Sequence, residues 1–210
     1  MRELAAKKQE EEEINAPVVS EIPDFSAPLS VIKYPDPRLR ATNADLSPEC
    51  FDDPRLQELA QAMFEVMYDD DGVGLAAPQV GVNVRLMVFN EVGERGKGEE
   101  VVLINPRIVT KSKKQVLGEE GCLSFPGIYG DVKRSQTIKV RAVGVDGKKI
   151  VLDLKGYVAR IFQHEYDHLQ GKLFPDRMSP EVFKTVRGEC KAMEEVYLKD
   201  HPDTEIKRYK

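Results

Sequence analysis

The chain has no tryptophan, three histidines, three cysteines and no long apolar run. Each scarcity excludes something. With no tryptophan, no large aromatic cluster can be anchored on an indole, and the 41% apolar residues must build the core from aliphatic side chains and smaller rings. No stretch approaches the ~18 consecutive apolar residues of a membrane span, so membrane insertion is not expected. The opening "MRELAAKKQEEEE" lacks the apolar segment of a secretory signal and is too acidic for an intact organelle transit peptide. Any such peptide is expected to be missing from the chain already. Three cysteines, at 50, 122 and 190, are an odd and widely spaced set, which argues for a reducing compartment without a disulfide framework. Positive charge is also the minority sign: 31 Lys and Arg against 36 Asp and Glu leave a net charge of −5. General binding to nucleic acid or to an anionic membrane is therefore disfavoured, and no specific DNA binding is expected.

What is present fits one domain with tails over 210 residues. Residues 1–27, with the acidic run Glu10–Glu13, read as a flexible charged extension. The domain is expected over 28–178, and 179–210 as a C-terminal helix with a charged tail. Asp53 and Pro54 open a helix over about 54–69, whose Leu56, Leu59, Ala60, Met63, Val66 and Met67 recur at helical spacing. "VRLMVFN" (84–90), "VVLIN" (101–105), "TIKVRAV" (137–143) and "KIVLDL" (149–154) read as strands, the last two joined by a tight turn at Asp146-Gly147. Ser179-Pro180 opens the last helix, with Val182, Phe183, Val186, Met193 and Val196 expected inward. Strands followed by helices, without βαβ alternation or internal repeat, predict an α+β fold. Mostly antiparallel sheets should pack around a central helix, with one helix N-terminal and one C-terminal to it.

That central helix carries "QHEYDHLQG" (163–171), with Gly171 as its C-cap. Residues four apart lie ~40° apart around a helix and ~6 Å along it, so His164 and His168 can aim at one point and bind a divalent ion. Two unrelated helix histidines are an equally good account of five residues alone. The helical wheel shifts the balance, because Glu165 falls among Val158, Ile161, Phe162 and Leu169 on the apolar face. A buried unpaired carboxylate is costly and has a raised pKa, which suits a general base beside a metal-activated water. A third protein ligand is still needed. His201 lies in the charged tail and reads as exposed. Glu189 and Glu194, on the last helix, or one of the cysteines remain as candidates.

Cys122 stands in "EGCLSFPG" (120–127), where Gly121 permits close backbone approach and Pro126-Gly127 turns the chain. A thiolate there would be a soft third ligand, against the commoner fate of a small buried hydrophobe, which is kept for Cys50 and Cys190. "GVGLAAPQVG" (72–81) reads as an irregular loop able to approach a ligand, with Gln79 its one polar side chain capable of donating.

Taken in this order and at these separations, "GVGLAAPQVG", "EGCLSFPG" and "QHEYDH" resemble the three motifs of peptide deformylases, and "YPDPRLR" (34–40) resembles the usual start of that family. The resemblance covers about 28–175. It implies hydrolysis of the N-formyl group from the formyl-methionine of nascent chains, with release of formate. It implies Cys122, His164 and His168 as metal ligands, Glu165 as acid/base, and Gln79 with the Leu123 backbone N–H as oxyanion donors. Val73, Gly74, Gly121 and Ile161 match positions that line the methionine pocket or hold the peptide backbone. It also implies one divalent ion, Fe²⁺ physiologically, with Zn²⁺, Ni²⁺ or Co²⁺ able to occupy the site. The chain ends look like those of the plant organellar branch, B type, which implies the chloroplast stroma or another organelle, with a bacterial cytoplasm as the alternative. Lys184, Arg187 and Lys191 share one face of the last helix; an ordinary solvated surface accounts for them, and a ribosome-facing patch is the alternative. Two rival readings are an H-E-x-x-H metallopeptidase using Glu189 or Glu194, and a non-catalytic protein with a structural metal.

Overall fold

The structure is a computed structural model and describes residues 16–209. Its first long helix, α1 (Pro54–Asp69), starts where Asp53 accepts from the Arg55 N–H, and all six residues expected inward are buried. A five-stranded antiparallel sheet follows, built from β3 (Gly74–Ala76), β4 (Leu86–Phe89), β5 (Val101–Lys111), β8 (Thr137–Val143) and β9 (Lys149–Lys155), in that spatial order. Two short strands, β1 (Val18–Val19) and β2 (Asp45–Leu46), pair in parallel, and β6 (Gln115–Cys122) with β7 (Phe125–Ser135) makes a separate antiparallel hairpin. Helices α2 (Gly156–His168) and α3 (Pro180–Asp200) complete the α+β architecture.

Alternation along the strands separates two cores. Leu86 and Val88 of β4 face the cluster that contains Leu56, Leu59 and Met63 of α1. Met87 and Phe89 face the one that contains Ala159, Ile161 and Phe162 of α2. Successive strand side chains point to opposite faces, so the two helices cover opposite sides of the sheet. This is why "LMVF" is apolar without alternation. A third cluster joins Tyr34, Phe125, Val132, Phe174, Val186 and Cys190, and seats α3 against the β6–β7 hairpin.

Several expectations need correction. Of the extension assigned to 1–27, residues 16–27 run along the surface but are anchored: Val18-Val19 pair with Asp45-Leu46, and Ile22 is 2% exposed in the first core. Residues 1–15, with the acidic run, lie outside the described residues. Strand β5 continues past residue 105 because a register shift between Ile104 and Arg107 accommodates Pro106, which has no N–H to offer the ladder. The β6–β7 hairpin has no counterpart in the apolar pattern, since many of its residues face solvent or ionic partners. "GVGLAAPQVG" is more ordered than a loop, forming edge strand β3 and a 3₁₀ turn over Ala77–Val80. On α3, Val196 is 61% exposed, whereas Cys190 and Glu194 turn inward. The tail after α3 folds back too: Tyr209 N–H donates to Glu194, and Arg40 donates to the Tyr209 hydroxyl at 2.8 Å.

Candidate metal centre and its cavity

Helix α2 presents His164 and His168 on one side, 8% and 1% exposed, with ring centroids 5.2 Å apart. Cys122 is the last residue of β6. The hairpin turns at Leu123-Ser124, immediately after it, rather than at Pro126-Gly127, which lie within β7. The pairing jumps from Gly121↔Tyr129 to Cys122↔Phe125, so β7 bulges by three residues there. That bulge brings the cysteine to the helix. Its Sγ is 3.4 Å from His168 Nε2, and the donor atoms of Cys122, His164 and His168 all lie within 4.8 Å of one another.

The donor set fits a metal ion. Bonds of ~2.0–2.1 Å to histidine and ~2.3 Å to cysteine at tetrahedral angles put sulfur and nitrogen about 3.5 Å apart. The His164 Nδ1–H donates to Glu120 Oε2 at 3.0 Å, leaving Nε2 as the free ring nitrogen. Such an outer partner orients a ligand ring and makes it more basic. Glu165 is 4% exposed and its Oε2 is buried without a hydrogen-bond partner. Burial pushes its carboxyl up to about 7, against the pull of neighbouring His164. A carboxylate with such a pKa can both take and return a proton near neutrality.

A cavity of about 660 Å³ opens in front of this centre. Cys122, His164 and Glu165 line it, together with Gln79, Leu123, Val73, Gly74, Gly121 and Ile161; His168 lies outside its lining. Gln79 is 1% exposed, its Oε1 accepting from Ala76 N–H and its Nε2 donating to Ser124 Oγ at 3.3 Å. Gly74 approaches Glu165 so closely that a Cβ there would lie 2.7 Å from Oε1.

The glutamates weighed as alternative third ligands do not join the centre. Glu194 is buried on α3, where its Oε1 accepts from the Tyr34 hydroxyl at 2.5 Å, and Glu189 is exposed. Neither belongs to the group of donor atoms that Cys122, His164 and His168 bring together. His201 is exposed, stacked on Tyr197 at the end of α3. Cys50 and Cys190 are buried, 1% and 0% exposed.

One layer behind the ligands is a buried ionic network that the motifs do not announce. Arg134 donates from Nε and Nη2 to Glu120, both at 2.9 Å, and from Nη1 to Asp167 at 2.5 Å. Arg160 reaches Glu120 at 2.8 Å, and Arg177 also binds Asp167. Arg134 and His164 hold the Glu120 carboxyl well below the usual range although burial pushes the other way. The signal available in the sequence was spacing: Glu120 and Cys122 are two apart on a strand and share a face.

The chain is similar to known proteins over most of its length. A family model described as polypeptide deformylase matches residues 28–184. The rice protein "Peptide deformylase 1B, chloroplastic" is 55% identical over 82% of this chain, and the chain spans 63% of that relative's length. An Arabidopsis thaliana protein, "Peptide deformylase 1B, chloroplastic/mitochondrial", is 52% identical over 82% of this chain and 62% of its own. A plant peptide deformylase PDF1B crystal structure superposes with a TM-score of 0.82 at 50% identity, covering 85% of this chain and 95% of that one. The Thermotoga maritima peptide deformylase gives a TM-score of 0.67 at 42% identity, over 72% and 98% of the two chains. The matched span takes in β3, the β6–β7 hairpin and α2 together, and on that extent of agreement the chain belongs to the polypeptide deformylase family.

Proposed function

We propose that this protein hydrolyses the N-formyl group from the formyl-methionine that begins newly made polypeptides, releasing formate, and that it does so in an organelle. The observation that carries this reading is the meeting, at one cavity, of a Cys-His-His cluster with a buried, unpartnered glutamate. Cys122, His164 and His168 hold one divalent ion, Fe²⁺ in the cell, with Zn²⁺, Ni²⁺ or Co²⁺ as replacements. When bound, that ion supplies Lewis acidity towards water and the formyl carbonyl.

The chain's own groups do the rest. Glu165 Oε2 takes the proton of the attacking water and then returns it to the departing amine, a role its carboxyl near pKa 7 can serve in both directions. Gln79 Nε2 and the Leu123 N–H donate to the oxyanion as it forms. Val73, Gly74, Gly121 and Ile161 line the space for the methionine side chain and peptide backbone. Organellar placement rests on the names of the plant relatives. The ribosome is the source of such substrates, and the exposed Lys184, Arg187 and Lys191 are the face through which it would be met.

The test is formate release from a formyl-Met peptide by the iron-loaded protein, beside Glu165→Ala. The variant is expected to keep its metal and lose activity by roughly 10²–10⁴-fold. No formate from the parent, or an unaffected variant, overturns the mechanism.

A further inference from the structure

We infer that Lys33, which belongs to none of the sequence motifs, is a positioning residue for the deformylation, its ammonium holding the Leu123 peptide so that the Leu123 N–H stays aimed at the developing oxyanion. This rests on the deformylase reading of the same cavity, in which Leu123 and Gln79 are the two donors.

Three consecutive residues tie those donors together. Ile32 N–H donates to the Gln79 carbonyl at 2.8 Å, and Tyr34 N–H donates to the Ser124 carbonyl at 2.9 Å. Between them, Lys33 Nζ donates to the Leu123 carbonyl at 2.9 Å. Gln79 Nε2 in turn donates to Ser124 Oγ, closing the loop between the 3₁₀ turn and the hairpin turn. Leu123-Ser124 is a two-residue turn beside a three-residue bulge, so its own hairpin gives it little support on that side. The Leu123 N–H and carbonyl flank one Cα, and their directions are coupled through its two dihedrals. Fixing the carbonyl therefore narrows the range open to the N–H.

Stability does not explain the lysine. Its second contact, to Asp70 Oδ2, is 3.4 Å long with both side chains about two-fifths exposed (43% and 40%). A pair of that kind contributes little to folding. The contact with Leu123 is the shorter one, and Lys33 lines the cavity beside that residue. A charged donor on a carbonyl is stronger than a neutral one, and catalytic donors that are already oriented need no rearrangement when charge develops.

The experiment compares metal-loaded parent, Lys33→Met and Lys33→Arg in two measurements. The first is steady-state deformylation of a formyl-Met peptide. Lys33→Met should lower kcat roughly ten-fold with KM within about two-fold, and Lys33→Arg should recover most of the loss, since only an interaction realised in the transition state lowers kcat alone. The second is the nitrogen-15 relaxation order parameter of the Leu123 amide in the zinc-loaded protein, which needs no turnover. It should fall in Lys33→Met from the rigid range of about 0.85 towards about 0.6 and return in Lys33→Arg, with an unchanged melting temperature. Should the parent release no formate, the functional reading fails, and the clamp is judged by the order parameter alone. An unchanged Leu123 order parameter overturns the clamp. A raised KM at constant kcat overturns it as well, because Lys33 would then be a substrate-binding group.

Discussion

A single missing Cβ decides how close β3 can come to helix α2. At Gly74 a methyl group would lie 2.7 Å from Glu165 Oε1 and 2.9 Å from Ile161 Cγ2, so both must give way. The carboxylate end is the more mobile, and a displacement of about 1 Å of a reacting group can cost on the order of 10²-fold. Gly74→Ala should therefore lose activity on that scale while the fold survives, which kinetics and circular dichroism on one sample would check. Glu165 itself shows how far a residue could be read from sequence. Its place on the apolar stripe of α2 foretold burial, and it is 4% exposed. Nothing in the stripe foretold Gly74 as the neighbour that confines it, because that contact joins residues 91 positions apart in the chain.

At the level of elements, helix α2 and the β6–β7 hairpin form one unit through charge rather than apolar contact. Arg134 on β7 bridges Glu120 on β6 and Asp167 on α2, with Arg134 and Glu120 6% and 4% exposed as side chains. Removing one partner of such a group strands the others without compensation, at about 3–5 kcal/mol. Arg134→Met is expected to lower stability by that amount, read as a shift of the urea midpoint at constant m-value. It should also loosen His164, whose Nδ1–H is held by the same Glu120. Helices α1 and α2 were legible because their apolar faces repeat at helical spacing. The hairpin was not, because its inward residues include arginine and glutamate, which look like surface until their partners are known.

Across the whole molecule the C-terminal segment clasps the start of the domain. Asp176 binds Arg40 and the Leu173 N–H, and Arg40 also donates to the Tyr209 hydroxyl. Burial alone would raise the Asp176 carboxyl, but the Arg40 and Leu173 hydrogen bonds outweigh it and hold it below its ordinary 3.8. A depressed folded-state pKa gives stability that is complete above the ordinary value and lost as pH falls through the lower one. Asp176→Asn should thus melt below the parent at neutral pH, by about 2–4 °C for each ~1 kcal/mol. The gap should close progressively below about pH 4. Melting curves of both proteins across that range would show it, and a gap independent of pH would exclude the ion pair as its cause. The extension over 1–27 was read as flexible because its prolines and charges hide a few well-placed apolar side chains. Ile22 is the one that proves decisive for residues 16–27, being buried in the first core.

Local chemistry was enough to determine that two histidines and a glutamate share a helix, that a glycine-flanked cysteine stands in an unusual segment, and that the strands pair mainly antiparallel. These follow from period, capping and residue type, which act over a few positions. What only the tertiary structure decided was which third group reaches the imidazoles and what holds it there. Cys122 and Glu194 were both available to the sequence. The hairpin bulge brings Cys122 Sγ within 3.4 Å of His168 Nε2, while Glu194 is taken up by the Tyr34 hydroxyl. That choice depends on how separate elements pack, and packing is set by contacts between residues far apart in the chain.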